Sequence, residues 1–478
     1  MANGVFAKAA KADLRPPSLH IPPRLIIHGG AGNISPATMT PERRAAYRAA
    51  LHEIVTRTND YMTGSDRPSA LATATFAVVL LEDCPLFNSG HGAVFTRDGI
   101  NELEASIMVS QGRAKRGVGV MGLRHVRNPI RLAQRMLEHG DADLGASSCE
   151  YSEDKAKESR ERSETPNVDA GAQGHTQLYG AAAEALADRY GLPLVPPSYF
   201  FTQTRWDEHV RALEREKQDS SASSTWSADE YLPQGTCGAV ALDADGVVCC
   251  ATSTGGLTNK VTGRVGDTPV VGAGSWAGTW DEDGDPTALV LRPPGRTLQN
   301  YYGTPSPRPV VELSRALCRL LADCLPLPSP MPYIYSPLPS TSTLPMESAA
   351  TATATTTPTT TTTRSIGLSG TGNGDSFLRV SAAHTVAAMA QYKPVSSASA
   401  LGAVAGPGGV LQNSAGTRWG RTGEGEGGLI GIELALVRHG GELCQVRTAI
   451  IQDYNCGGMF RTWIDDAGQA QVRIFRDE

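Results

Sequence analysis

Two rhythms of apolar residues run along this chain. Short apolar runs bounded by glycine predict strands. They fall at Arg24 to Ile27, Gly117 to Leu123, Cys237 to Asp243, Val247 to Ser253, Gly427 to Val437 and Gln445 to Gln452. Longer stretches with apolar groups at helical spacing predict helices over 41–62, 69–82, Asn128 to about Leu137, His175 to Tyr190, Trp206 to Gln218 and Ser376 to Tyr392. The first of these opens Thr40-Pro41-Glu42, a capping hydroxyl, a proline in the first turn and an acid. His28 to Gly32 reads as a tight loop, and Ala93 to Met108 as a hairpin around Asp98-Gly99.

Between these elements the pattern fades. Residues 1–22, 146–172, 219–230 and Asn413 to Glu426 carry little apolar periodicity and are expected to be flexible. Residues 281–365 form an insertion with one amphipathic stretch, Leu313 to Leu325, and a Ser/Thr/Pro tract from Ser336 to Thr363 that cannot bury a core. Regular structure is expected to resume at Ile366.

The runs at 237–243 and 247–253 flank Asp245-Gly246, a hairpin turn signal. Thr236 opens the first run and Thr254 closes the second, so a hairpin brings two hydroxyls together. A threonine after a glycine is ordinarily just a good strand residue. It has a second use as an N-terminal nucleophile. Cutting the Gly235–Thr236 bond would free an α-amine of pKa about 8, able to act as base for its own hydroxyl.

Charge narrows the partners. The 478 residues carry a net charge of −6 without a basic block, which disfavours nucleic acid. No apolar run approaches the length of a membrane span. The first twenty residues lack the apolar centre of a secretory signal, and the nine cysteines show no C-x-x-C spacing. Both favour a cytoplasmic protein with reduced thiols. His91 stands between two glycines in a loop and is expected to serve that turn rather than act as a base. Glu102 and Glu104 share one strand face, expected to be solvated rather than a glycosidase pair.

The segments IIHGGAG, LFNSGHGAVFTRDGINELEASIM, GTCGAVALD, ATSTGG, NKVTGRVGD, VGAGSWA, SGTGNGD and GGLIGIE, in this order, resemble the plant-type L-asparaginase/isoaspartyl peptidase family of threonine N-terminal nucleophile hydrolases. The resemblance implies an α/β (α+β) fold, a four-layer αββα sandwich with flexible insertions. It implies self-cleavage into an α-chain (23–235) and a β-chain (236–478) of one domain, assembled as a homodimer of αβ units. It also implies hydrolysis of L-asparagine or of isoaspartyl dipeptides without a catalytic cofactor.

The resemblance distributes roles. Thr236 is the nucleophile and Gly235–Thr236 the cleavage site. Thr254 is a second active-site threonine, and Asn88 lies close to the new N-terminus. Thr371 and Gly372 form the oxyanion hole. Gly372 and Gly374 contact substrate. Arg264 and Asp267, otherwise readable as a surface ion pair, become a clamp on the zwitterion, Arg for the carboxylate and Asp for the ammonium. Main-chain carbonyls of Leu81, Glu82, Cys84, Phe87, Ser89 and His91 occupy the positions of a structural sodium loop. Two positions depart from the family pattern, Glu104 for Asp and Asp375 for Glu. Related readings remain open: a taspase-like endopeptidase, an aspartylglucosaminidase-like amidase, or a non-catalytic amino-acid-binding relative.

Overall fold

The strand and helix periodicities resolve into two sheets with helices packed against them. The structure is a computed structural model that describes residues 20–145, 171–218, 235–285, 359–393 and 395–476. The larger sheet has eight strands in the order β12-β11-β1-β5-β6-β2-β3-β4. These are β1 Arg24–Gly32, β2 Leu103–Val109, β3 Gly117–Leu123, β4 Gln177–Tyr179, β5 Cys237–Leu242, β6 Val248–Thr254, β11 Gly458–Ile464 and β12 Ala470–Arg473. All neighbours are antiparallel except β3 and β4. The smaller sheet runs β10-β9-β8-β7, from β7 Ser275–Asp283, β8 Thr360–Gly372, β9 Gly427–His439 and β10 Glu442–Tyr454.

Strand alternation decides which core each side chain enters. Ala239, Ala241, Cys249 and Ala251 face α1 (Pro41–Met62), α2 (Ala70–Glu82) and α3 (Pro129–Asp143), meeting Leu51, Val78 and Leu132. Their neighbours Val240, Leu242, Val248 and Cys250 face the smaller sheet and meet Ala277, Ile430, Ile432 and Leu434. The other face of the smaller sheet buries Ile366, Leu368 and Leu429 under Phe377, Val386, Leu401 and Val404. These come from α6 (Gly374–Val380), α7 (Ala382–Tyr392) and α8 (Ser397–Ala405). Earlier in the chain lie α4 (Gly180–Arg189) and α5 (Gln203–Gln218), and after α8 a short α9 (Val410–Asn413). The protein is therefore a mixed α/β structure.

Several elements differ from the sequence reading. His28 to Gly32 is not a loop. β1 runs through it with a bulge between His28 and Gly30, because β11 supplies partners as far as Gly32, while β5 pairs only to His28. The hairpin around Asp98-Gly99 keeps its turn, but β2 pairs with β3 and β6 instead of folding back on residues 93–97. The helix from His175 starts only at Gly180, since Gln177–Tyr179 adds an edge strand beside β3. The helix over 376–392 breaks at Ser381, which takes a φ of 46°. Thr360 to Thr363, counted with the low-complexity tract, are strand residues of β8, Thr360 paired with β9 and Thr361 to Thr363 with both β7 and β9. α8 and strands β11 and β12 were not anticipated. The readings on 1–19, 146–170, 219–234 and 286–358, the Leu313 to Leu325 helix included, lie outside the described residues.

Candidate active site

β5 and β6 pair in the register Cys237 to Ser253, so Thr236 and Thr254 are the next positions of adjacent strands. Asp243 closes their turn, its Oδ1 accepting the main-chain N–H groups of Asp245 and Val247 at 3.1 and 2.9 Å. Thr236 is buried, and its Oγ1 lies 3.0 Å from the Thr268 hydroxyl. Thr254 Oγ1 accepts the Gly256 N–H at 3.0 Å and shapes the turn at the end of β6. Asn88 braces the same turn. It donates to the Gly256 carbonyl at 2.7 Å and accepts from Val94 N–H at 3.1 Å.

Gly235 presses against the glycine-rich end of β1. A Cβ there would stand 2.5 Å from both Ala31 N and Gly30 Cα, so no side chain is tolerated without movement. The same Ala31 N–H donates to Thr371 Oγ1 at 3.1 Å. Gly235 and Thr371, far apart in sequence, thus meet at one peptide group. Gly372 follows with a φ of +142°, and a Cβ on it would meet the Glu426 carbonyl at 2.3 Å. Only glycine fits there.

Arg264 and Asp267 lie beside this group. Arg264 Nη2 sits 3.1 Å from Asp375 Oδ2, an ion pair at the solvent edge. Asp267 is buried, and among the described residues its Oδ2 has no hydrogen-bond partner. Burial pushes its carboxyl up to about 7, against the pull of Arg264. A Cβ on Gly374 would fall 2.5 Å from Asp267 Oδ1 and 3.1 Å from Arg264 Nη2, so this glycine backbone forms the wall of the pair.

Other predicted positions stand apart. His91 Nδ1 binds the Tyr199 carbonyl at 2.5 Å and its ring packs on Tyr199, as expected for a histidine serving a loop. Leu81 to His91 curls so tightly that Cβ atoms on Gly90 and Gly92 would strike the carbonyls of Glu82 and Phe87 at 2.3 and 2.1 Å. Among the described residues no group of three or more His, Cys, Asp or Glu side chains could hold a metal. Glu102 and Glu104 are a correction. Glu104 lies on β2 and Glu102 just before it, and both are buried rather than solvated. The loop of the Arg–Asp pair covers them.

Sequence reasoning missed three neighbours. Thr268 follows Asp267 directly and reaches the Thr236 hydroxyl; its place beside a predicted clamp residue was the available signal. His28 is buried, with Nε2 2.7 Å from Ser369 Oγ, which lies 3.0 Å from Thr252 Oγ1. Burial drives its pKa down to about 3, partly offset by the main chain of Thr236, so the imidazole is neutral at physiological pH. Lys260 is buried against Glu104 at 3.8 Å.

A family profile described as Asparaginase matches residues 21–153 and 171–280. The class this defines is a hydrolase. The chain belongs to the asparaginase family. It is 39% identical over 253 residues to an isoaspartyl peptidase of Escherichia coli K12, spanning 53% of this chain and 67% of the relative. It is 34% identical over 277 residues to the isoaspartyl peptidase/L-asparaginase of Mus musculus, covering 58% and 68% of the two chains. The human isoaspartyl peptidase/L-asparaginase is 34% identical over 256 residues, covering 53% and 67%. The profile ends at residue 280, before Thr371. It is β8, pairing with β7 and β9, that returns Thr371 to the site.

Proposed function

We propose that this chain is a self-processing amidohydrolase that hydrolyses L-asparagine, isoaspartyl dipeptides or both. The observation that carries the reading is the convergence of Thr236, Thr268, Gly235 and Thr371 beside the Arg264–Asp267 pair. In the uncut chain Thr236 Oγ1 attacks the Gly235 carbonyl. The C–N bond breaks as the ester forms, which frees the α-amine of Thr236, and water then hydrolyses the ester to release the Gly235 carboxylate and restore the Thr236 hydroxyl. That amine then takes the proton of its own hydroxyl, which attacks the β-carbonyl of the substrate. Thr371 and Gly372 donate to the developing oxyanion. The proton passes to the leaving nitrogen, and water cleaves the β-aspartyl ester. Arg264 holds the α-carboxylate, Asp267 the α-ammonium, and the Gly372–Gly374 backbone the remaining edge.

The same proposal includes the αββα arrangement, supported by helices flanking two facing sheets. It includes one hydrolase domain divided at 235–236, a homodimer of cleaved units and cytoplasmic residence. Among the described residues no helix is long and apolar enough to cross a membrane. The curled Leu81 to His91 backbone would hold a structural sodium through carbonyl oxygens, donors of the kind that replace an alkali ion's hydration. Sodium has no part in the bond-breaking steps.

Intact mass spectrometry tests the reading. Wild type is expected as two chains, 1–235 and 236–478, with asparaginase or isoaspartyl peptidase activity. Thr236→Ala is expected to stay whole and inactive. Thr236→Ser keeps the hydroxyl without the methyl that restricts χ1, so it should cleave more slowly. Full activity in Thr236→Ala would place the nucleophile elsewhere. A folded wild type that never cleaves and turns nothing over would favour an amino-acid-binding relative.

A further inference from the structure

The loop that presents Arg264 is fastened from behind by one strand. Glu104 is the second residue of β2 and Glu102 directly precedes the strand; both are buried, and both carboxylates reach the same loop. Glu102 Oε2 accepts the Gly263 N–H at 2.7 Å. Glu104 accepts the Gly266 N–H on both oxygens, at 3.1 and 3.2 Å. Arg264 therefore sits between two main-chain donors, each held by a carboxylate.

The two anchors differ in charge environment. Glu102 also binds Arg124 at 2.7 Å, and Arg124 reaches solvent. Glu104 meets the buried Gly266 backbone and the buried Lys260. Lys260 Nζ stands 3.8 Å from its Oε1 and donates to the Glu102 carbonyl at 2.9 Å. A Cβ on Gly266 would fall 2.8 Å from Arg264 Nη1 and 3.1 Å from Glu104 Oε2, so guanidinium and carboxylate converge on the same bare backbone. Register places Glu104 opposite Thr254. Glu104 thus joins the nucleophile hairpin, through its backbone, to the clamp loop, through its carboxylate.

We propose that Glu104, with Lys260 as its counter-ion, is a positioning residue that sets the Arg264 guanidinium for the substrate carboxylate. The proposal rests on the amidohydrolase reading above and deepens it. Burial raises the Glu104 carboxyl, while Lys260, Arg264 and the Gly266 N–H favour its ionised form. Lys260 is shifted down by burial and held up by Glu104. Each charge depends on the other, and neither touches the Gly235–Thr236 bond in the hydrogen bonds and ion pairs described.

The test separates positioning from folding. Glu104→Gln keeps the shape and an acceptor for Gly266 but leaves Lys260 as a buried unpaired charge, which costs stability. Lys260→Met combined with Glu104→Gln removes both charges. Each variant is expected to self-cleave fully and to raise KM for L-asparagine about tenfold, with kcat within about threefold, because ground-state and transition-state binding weaken together. Glu104→Asp keeps the charge and is expected to stay within about threefold of wild-type KM. The double variant is expected to regain thermal stability without regaining KM. A wild-type KM in the double variant, a KM that recovers along with stability, or an insoluble double variant would assign Glu104 to folding and overturn the proposal. L-Aspartate affinity by calorimetry supplies a second readout and should fall in parallel with KM. Absence of turnover in wild type would sink the amidohydrolase reading instead, and aspartate affinity would still decide the role of Glu104.

Discussion

Gly374→Ala is the sharpest probe of the proposed clamp, because one methyl group enters a defined space. Gly374 is the first residue of α6, a position that accepts alanine readily, and its φ is not in the left-handed region. Alanine restricts the unfolded chain by about 0.4–1 kcal/mol, which offsets part of the cost of accommodating the methyl group, so folding should be little changed. The added Cβ would lie 2.5 Å from Asp267 Oδ1. Ordinary contact needs about 3.5 Å, so the carboxylate or the helix must move by about 1 Å. A misplacement of that size at a binding group costs about 100-fold in rate. The expected result is a fall of about 100-fold in kcat/KM for L-asparagine, with self-cleavage complete by mass spectrometry and melting temperature within about 2 °C of wild type. Wild-type kcat/KM would remove Gly374 and Asp267 from the substrate site. A parallel loss of self-cleavage would show that the methyl disturbs the whole site.

Two further outcomes follow from the structure. Asp267, raised to about 7 by burial, is neutral in acid and gains charge as pH rises through that value, so the α-ammonium should bind better. KM for L-asparagine is expected to fall between pH 5.5 and 7.5, and an Asp267→Asn variant should show a high KM without that slope; a flat wild-type profile would contradict the role. Deleting residues 336–358 leaves β8 whole and should permit folding and self-cleavage, since loop closure varies slowly with length. Extending the deletion to Thr363 removes residues paired with both β7 and β9 and is expected to cost soluble protein. Equal behaviour of the two deletions would show those pairings to be dispensable.

Local chemistry explains what the sequence made legible. Pro41–Met62 and Ala70–Glu82 carry side-chain caps at Thr40 and Ser69, so both helices announce their own starts. The β5–β6 hairpin has its turn residues and its alternation in one stretch, and Thr236 and Thr254 could be paired from sequence. Features set by distant partners were not readable. The glycine-rich end of β1 is a strand only because β11 arrives more than four hundred residues later. Glu102 and Glu104 looked solvated because the backbone N–H groups and Lys260 that satisfy them lie on a remote loop. Thr268 was hidden by its neighbour, since attention to charge passed over the hydroxyl next to it.

β8 has a consequence beyond carrying Thr371. It begins at Thr360, one residue after the described chain resumes, and ends at Gly372 in the proposed oxyanion hole, 13 residues in all. Each of those residues is matched to β9, and nine of its positions are matched to β7 as well. The strand acts as a splint between the segment that precedes it and a proposed site that demands close placement. A tug or a change of length at its threonine end is spread over two ladders of hydrogen bonds before it reaches Thr371. Changes of length before Thr360 are therefore expected to leave the placement of Thr371 at the other end of the strand unchanged.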